Sequence, residues 1–227
     1  MDHNSKPDRR MRLEVDGVLL EYKHRKILQN VYLKIEAGEV TGLLGRNGSG
    51  KSSLFEVIYG IRSAQNSSVR IDGEFIRKGY QHKNLMAYLP QKSFIPGHLK
   101  VEEVLKLYQS PVDEAICHFP EIEQLLPYRS NQLSGGQQRL VETIAVIACP
   151  ASFIILDEPF SNLMPLHIET LRVWLAELKK IKGILITDHY YRDVLAICDH
   201  VYLLNLEGKT IQLTEQIQQL RDLGYAS

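Results

Sequence analysis

The sequence predicts an α/β protein built on a mainly parallel β-sheet that is covered on both faces. Short apolar runs of the kind found in buried strands recur along the chain, and helical patterns separate them in the second half. The 227 residues are 44% hydrophobic, which is ordinary for a globular protein. The chain is therefore long enough for one large domain or two closely packed subdomains.

The first part of the chain predicts strands, followed by a strand, a loop and a helix. Alternating Val31, Leu33 and Ile35 predict a half-buried strand, so we expect an antiparallel sheet edge within residues 13–40. An apolar run, a glycine-rich loop and a helical pattern follow it. The predicted elements are a strand at 40–44, a helix at 51–59, a loop at 62–68, and strands at 69–71 and 85–89.

The composition becomes helical after Gln91 and is interrupted by prolines at positions 96, 111, 120 and 127. We expect an inserted helical subdomain at about 92–150. Its last helix should run from Gln137 to Ala148, because good helix formers fill that segment and Pro150 ends it.

Helices and strands alternate in the last third of the chain. We expect strands at 152–156, 183–187 and 201–204, and helices at 165–182 and 190–198. Within the first of these helices, Leu171, Trp174, Leu175 and Leu178 share one face, which predicts core packing rather than a cofactor site.

Charge and cysteine content exclude several classes of protein. Lys and Arg number 27, as do Asp and Glu, so net charge gives no case for a nucleic-acid partner. Cys117, Cys149 and Cys198 lack the spacing of a disulfide framework or a structural zinc site, which suits a reducing cytoplasm.

Neither the start of the chain nor its most apolar stretch predicts a membrane segment. Residues 1–10 are polar, so we expect a disordered extension rather than a secretory signal, with folded sequence at 11–227. The apolar stretch from Thr143 to Leu156 contains Pro150 and is shorter than the roughly 20 residues that a spanning helix needs.

A phosphate-binding pattern lies between the predicted strand at 40–44 and the helix at 51–59. The segment matches G-x-x-x-x-G-K-[ST], the P-loop, in which backbone amides surround phosphates. Lys51 would bridge the β- and γ-phosphates, and the Ser52 hydroxyl would be a ligand of Mg²⁺. The candidate nucleotide-binding residues are Gly45, Arg46, Asn47, Gly48, Ser49, Gly50, Lys51, Ser52 and Ser53.

Two adjacent carboxylates end the apolar strand predicted at 152–156. Ligands bind at the carboxyl ends of strands in α/β sheets, so Asp157 would hold the Mg²⁺ shell. Glu158 projects differently and is a candidate general base for an attacking water.

Ser134, Gly135, Gly136 and Gln137 begin the helix that ends at Ala148. A serine hydroxyl and exposed amides at a helix N-terminus suit a phosphate. Taken alone, the same residues also suit a serine N-cap with two turn glycines.

These motifs, in this order, resemble those of the ATPase subunit of ATP-binding cassette (ABC) transporters, over residues 13 to about 224. The resemblance implies a P-loop NTPase fold of ABC type, with an antiparallel β subdomain and a helical insert. Leu133 to Gln137 are similar to the signature, which contacts the γ-phosphate held by the opposite protomer. The resemblance also implies that Tyr22 stacks on adenine, that Gln91 senses the metal and attacking water, and that His189 reaches the γ-phosphate.

The resemblance further implies ATP and Mg²⁺ as cofactors and two kinds of partner. One is a second ATPase protomer, as a homodimer or heterodimer, and the other is an integral membrane permease. The chain would then be peripheral on the cytoplasmic face of the inner membrane. In this family an aspartate usually occupies the D-loop position of Met164 and couples the two nucleotide sites, so we expect slow or weakly cooperative turnover.

Two alternatives remain open from the sequence. One is a soluble, non-transport ABC ATPase, such as the type that acts in iron–sulfur assembly. The other is an ATP-dependent dimerisation module with weak catalysis, which Met164 would favour.

Overall fold

The computed structural model describes residues 11–214, 218–220 and 225. The expected disordered extension, residues 1–10, lies outside the described residues. Within them, no helix combines the length and the hydropathy needed to cross a membrane.

Ten strands and seven α-helices are found in the described part of the chain. The strands are β1 (Arg12–Tyr22), β2 (Arg25–Glu36), β3 (Val40–Leu44), β4 (Asn66–Ile71), β5 (Glu74–Phe75), β6 (Met86–Leu89), β7 (Phe153–Asp157), β8 (Gly183–Thr187), β9 (His200–Leu204) and β10 (Thr210–Leu213). The helices are α1 (Lys51–Tyr59), α2 (Val101–Leu107), α3 (Val112–His118), α4 (Ile122–Leu125), α5 (Gly135–Ala148), α6 (Pro165–Leu178) and α7 (Tyr191–Ile197).

The strands form two sheets. The larger has the order β10-β9-β3-β8-β7-β6 and is parallel except for β10, which pairs antiparallel with β9. The smaller has the order β2-β1-β4-β5 and is antiparallel throughout. The predicted mainly parallel α/β core with an antiparallel β part is therefore confirmed.

Two hydrophobic cores cover the two faces of the larger sheet. On one face, its strands pack against helices α2 to α7, with the fully buried Trp174 and Leu171 of α6 in that core. On the other face, α1 lies between the two sheets and buries Leu54, Phe55 and Ile58 against both. The parallel strands are buried on both faces, which explains their continuous apolar sequences.

Two predicted boundaries differ from the structure by more than two residues. The loop expected at 62–68 is shorter, because β4 already begins at Asn66, where it pairs with Leu19 of β1. The helix expected at 165–182 ends at Leu178, and the following residues form a turn in which the Lys182 amide donates to the Leu178 carbonyl. For β4, a long-range strand pairing overrides local propensity.

The predicted helical insert contains α2 to α5, and Pro111 directly precedes α3. Its assignment as a subdomain at about 92–150 stays a prediction.

Candidate functional site

An open cleft of about 880 Å³ lies at the carboxyl edge of the larger sheet. The P-loop follows β3, Gln91 follows β6, Glu158 follows β7 and His189 follows β8. Because these strands are parallel, their carboxyl ends share one edge, and residues distant in sequence meet there. The lining residues are Leu20, Glu21, Tyr22, Ile27, Asn47, Gly48, Gly50, Lys51, Ser52, Ser53, Arg62, Ser63, Gln91, Glu158 and His189.

Sequence reasoning missed part of this lining. Leu20, Glu21 and Ile27 come from strands β1 and β2, whereas Arg62 and Ser63 follow α1. None of these residues belongs to a recognisable motif, so their place in the cleft depends on how the smaller sheet packs against α1.

The P-loop glycines Gly45 and Gly48 have different surroundings. Gly48 has φ +77°, a conformation that favours glycine, and a Cβ there would meet no atom within 4 Å, so this position leaves open space for a ligand. A Cβ on Gly45 would lie 2.7 Å from the carbonyl oxygen of Leu204. Gly45 therefore permits close packing against β9.

Lys51 is the first residue of α1 and is mostly buried beneath the P-loop. Its Nζ donates to the carbonyl oxygens of Gly45 at 2.7 Å and Arg46 at 3.3 Å. Burial lowers the pKa of Lys51, while the charges of Glu158 and Asp157 oppose that shift. The ammonium group thus lies between the P-loop and the two carboxylates, where an anionic ligand would stabilise its charge.

Asp157, the last residue of β7, is 1% exposed. Burial raises its pKa, and a hydrogen bond from Ser52 acts in the opposite direction. The phenol of Tyr88 also donates to Oδ2 at 3.4 Å. Among the described residues, none provides a hydrogen-bond partner for the buried Oδ1. A carboxylate with an unpartnered oxygen beside a serine hydroxyl matches the hard oxygen ligands that Mg²⁺ prefers.

Glu158 and His189 are in direct contact. Nε2 of His189 lies 2.8 Å from Oε1 of Glu158, and the Ser161 hydroxyl donates to Oε2 at 3.3 Å. Glu158 has φ +56°, and its amide donates to the Thr187 carbonyl at 2.8 Å. This backbone turns the carboxylate into the cleft, whereas Asp157 is buried beside Ser52 and Tyr88.

The segment from Ser134 to Gln137 forms a capping box at the start of α5. The Gln137 amide donates to Ser134 Oγ at 3.3 Å, and the Ser134 amide donates to Gln137 Oε1 at 2.9 Å. Of the described residues that line the cleft, none comes from this segment. The capping role is therefore present in the structure, and the predicted phosphate contact would have to be made to another molecule.

Comparison with known proteins identifies the family. The ABC transporter family model matches residues 28–161, more than half of the chain. A lipopolysaccharide export system ATP-binding protein from Haemophilus influenzae is 31% identical over 92% of this chain and 93% of its own length. This chain belongs to the ABC transporter family.

Further relatives agree with that assignment. The lipopolysaccharide export system ATP-binding protein of Escherichia coli K12 is 32% identical over 81% of this chain and 83% of its own length. A solved ATP-binding subunit of an ABC transporter superposes with a TM-score of 0.82 at 26% identity, covering 95% of this chain and 94% of that one. The protein is an ATP-binding subunit of an ABC transporter and an ATPase, and the comparisons do not favour the non-transport alternative.

The ABC subunit contains a buried carboxylate that the sequence did not single out. Asp188 is 2% exposed, and it accepts hydrogen bonds from the amides of Phe160 at 2.9 Å and Tyr190 at 3.1 Å. Burial raises its pKa, although these amides act in the opposite direction. Asp188 therefore joins the segment after Glu158 to the segment that carries His189. The only signal in the sequence was a carboxylate between an apolar strand and the candidate histidine.

Met164 occupies the N-cap position of α6, directly before Pro165 at N1. Its side chain is 59% exposed and makes no capping hydrogen bond. An aspartate at this position would both cap the helix and present a charge on the protein surface. Met164 does neither, so α6 begins without a side-chain cap.

Proposed function

We propose that two copies of this cassette, or this chain and a related one, close around two Mg-ATP molecules and drive a separate membrane permease. One observation carries the proposal. The P-loop, Gln91, Glu158 and His189 share one cleft, whereas Ser134 to Gln137 lie outside it. A second protomer would supply its own signature segment to complete each site.

In this proposal the residues around the cleft have separate roles. Tyr22, 62% exposed at the end of β1, stacks on adenine, and the P-loop amides and Lys51 hold the phosphates. Ser52, Gln91 and Asp157 hold Mg²⁺, which neutralises phosphate charge when it is bound. Glu158 accepts the proton of the attacking water, and His189 orients Glu158 and contacts the γ-phosphate. The residues that contact the partner's nucleotide are Ser134, Gly135, Gly136 and Gln137.

Replacing the candidate base tests the catalytic and dimeric parts together. Glu158→Gln should reduce phosphate release by about 10²–10⁴-fold, because it removes a general base. It should also accumulate as a dimer when Mg-ATP is added, as measured by light scattering. The matched control is Glu177→Gln, the same change at an exposed carboxylate of α6, which should hydrolyse ATP normally. A Glu158→Gln protein that stays monomeric with Mg-ATP, with and without a partner cassette, would refute the shared site.

The transport partner is proposed from the relatives. Two of them are named for lipopolysaccharide export, so we propose that this chain energises an exporter of that kind at the cytoplasmic face of the inner membrane. Affinity isolation of the full chain from detergent-solubilised membranes should recover a permease with multiple transmembrane helices. Recovery of soluble scaffold proteins without any permease would count against a transport role.

A further inference from the structure

A buried arginine connects α5, the helix that begins with the signature, to the catalytic edge of the sheet. Arg139 is 5% exposed. Its Nη2 donates to the carbonyl oxygens of Asp157 at 2.6 Å and Glu158 at 2.8 Å. Its Nη1 donates to the Pro90 carbonyl at 2.8 Å, directly before Gln91. One guanidinium thus binds the backbone at the carboxyl ends of the neighbouring strands β6 and β7.

Glu142, one turn further along α5, extends this connection. It is 1% exposed, and its Oε2 lies 3.5 Å from Arg139 Nη1. Its Oε1 accepts hydrogen bonds from the Ser93 hydroxyl at 2.5 Å and the Phe94 amide at 3.1 Å. The Gln138 side-chain amide also donates to Ser93 Oγ at 2.7 Å. The segment that follows Gln91 is therefore held by two side chains of α5, Glu142 and Gln138.

Stability alone gives a weak reason for this arrangement. Burial lowers the pKa of Arg139, and Glu142 opposes the shift, as expected for a desolvated charge that depends on its partner. Well-packed apolar residues often stabilise a core as well as a buried ion pair does. Among the described residues, none pairs with the buried Nε of Arg139. What the guanidinium supplies is a planar set of donors with fixed directions, which suits positioning.

We propose that Arg139, held by Glu142, is a positioning residue that sets Glu158 and Gln91 relative to the signature helix. Contact between the signature and a partner's nucleotide would then move α5 and the catalytic loops of the same subunit as one unit. The proposal rests on the roles proposed above for Glu158 and Gln91. It also connects the signature helix to the catalytic loops within one subunit. This matters in a chain whose D-loop has Met164 in place of the usual aspartate.

Two substitutions in the full-length chain test the proposal. Arg139→Lys keeps the charge but places all its donors on one nitrogen instead of a planar fork, and Arg139→Met removes the donors. Both should lower kcat for phosphate release by roughly tenfold to a hundredfold, while KM and the Kd for ATP change by less than about twofold. Such a split between kcat and KM indicates lost positioning rather than lost nucleotide binding.

Lys182 provides a matched control at the opposite end of α5. It is also 5% exposed, and its Nζ donates to the backbone carbonyls of Ile147, at 2.8 Å, and Cys149. Lys182→Met therefore leaves buried carbonyls unpaired, as Arg139→Met does, but far from the catalytic edge. It should lower the melting temperature and keep the kcat of the wild-type protein.

The outcomes separate this proposal from the proposed function. Wild-type kcat in Arg139→Lys and Arg139→Met, or an equal loss of kcat in Lys182→Met, would overturn the positioning role. Should neither Arg139 variant fold, Glu142→Gln decides, because it keeps an acceptor oxygen but removes the charge, and an unchanged kcat would overturn the proposal. Normal hydrolysis by Glu158→Gln would instead refute the role of Glu158. If Glu158→Gln is inactive while the Arg139 variants are fully active, the positioning role of Arg139 is wrong and the proposed role of Glu158 stands.

Discussion

At the scale of single residues, the two neighbouring carboxylates of the site differ in what surrounds them. Asp157 is buried, accepts from Tyr88 and has its pKa raised by desolvation. Glu158 lies at the cleft and contacts His189, a side chain that is 46% exposed. The two adjacent carboxylates thus have different surroundings, because the positive φ of Glu158 turns its side chain away from the strand direction. A metal-holding role suits the first carboxylate and proton transfer suits the second.

Removing the imidazole tests the contact between His189 and Glu158. His189→Ala should lower kcat for phosphate release by about 10²-fold or more, since it removes the group that orients the candidate base. ATP affinity should change little, because P-loop residues still line the cleft. The control is Tyr190→Phe at the neighbouring exposed position, which should keep the wild-type kcat. Unchanged turnover in His189→Ala would remove this histidine from the mechanism.

At the scale of elements, helix termini define much of the site. α1 begins at Lys51 after Gly50, so no capping side chain competes with a phosphate for its first amides. α5 begins with a complete capping box at Ser134. α6 instead begins at Pro165 and is preceded by Met164, whose side chain does not cap the helix. Of these three helices, only α5 therefore has a first-turn amide that already bonds to a capping side chain.

Restoring an acidic cap to α6 should have two measurable effects. Met164→Asp should raise the free energy of unfolding by about 1 kcal/mol, because an aspartate at the N-cap accepts from the first-turn amides. It should also raise the ATPase rate or its Hill coefficient if the D-loop carboxylate couples the two sites. Urea unfolding and phosphate release check these effects separately. Met164→Leu, which cannot cap, is the control, and an unchanged rate and Hill coefficient in Met164→Asp would contradict the coupling expectation.

At the scale of the whole molecule, long-range polar contacts hold the larger sheet to its covering helices. Asp199, directly before β9, accepts from the Val40 amide at 2.8 Å and from Lys179 Nζ at 2.8 Å. Burial favours its neutral form, but the hydrogen bonds from Lys179 and Val40 prevail and lower its pKa. These contacts join β9, β3 and the end of α6. The charged form of Asp199 therefore stabilises the folded state.

The pH dependence of stability follows from the direction of that shift. A carboxyl group with a lowered pKa contributes stability above its unfolded pKa of about 3.9, and the contribution is lost as the pH falls through the folded pKa. Asp199→Asn should cost about 1 kcal/mol at pH 7, a modest value because the side chain is 35% exposed.

Urea titrations at several pH values check this expectation. The difference between wild type and Asp199→Asn should shrink at acidic pH. Asp193→Asn, at a surface ion pair with Arg172, should show a smaller loss at pH 7. A difference that stays constant from pH 7 to pH 3 would contradict the assignment.

Local patterns predicted the elements that local interactions specify. The bounds expected for β3, α1 and β8 are those of the structure, because an apolar run or a helical pattern ends at a glycine or polar residue in each case. The predicted start of β4 at residue 69 was wrong, since pairing with Leu19 makes Asn66 and the turn-favouring residues after it part of the strand. The helical subdomain at about 92–150 and the individual site roles stay predictions.

The sequence by itself determined the family, the parallel core and the motif residues at the carboxyl edge of the sheet. It did so because each motif is short and has a spacing required by its chemistry. Only the tertiary structure decided that Arg139 holds Pro90 and Glu158, and that Asp188 joins the loops after β7 and β8. These contacts link residues far apart in the chain through backbone carbonyls and amides. Such groups are identical at almost every position, so no pattern of side chains marks which of them will be paired.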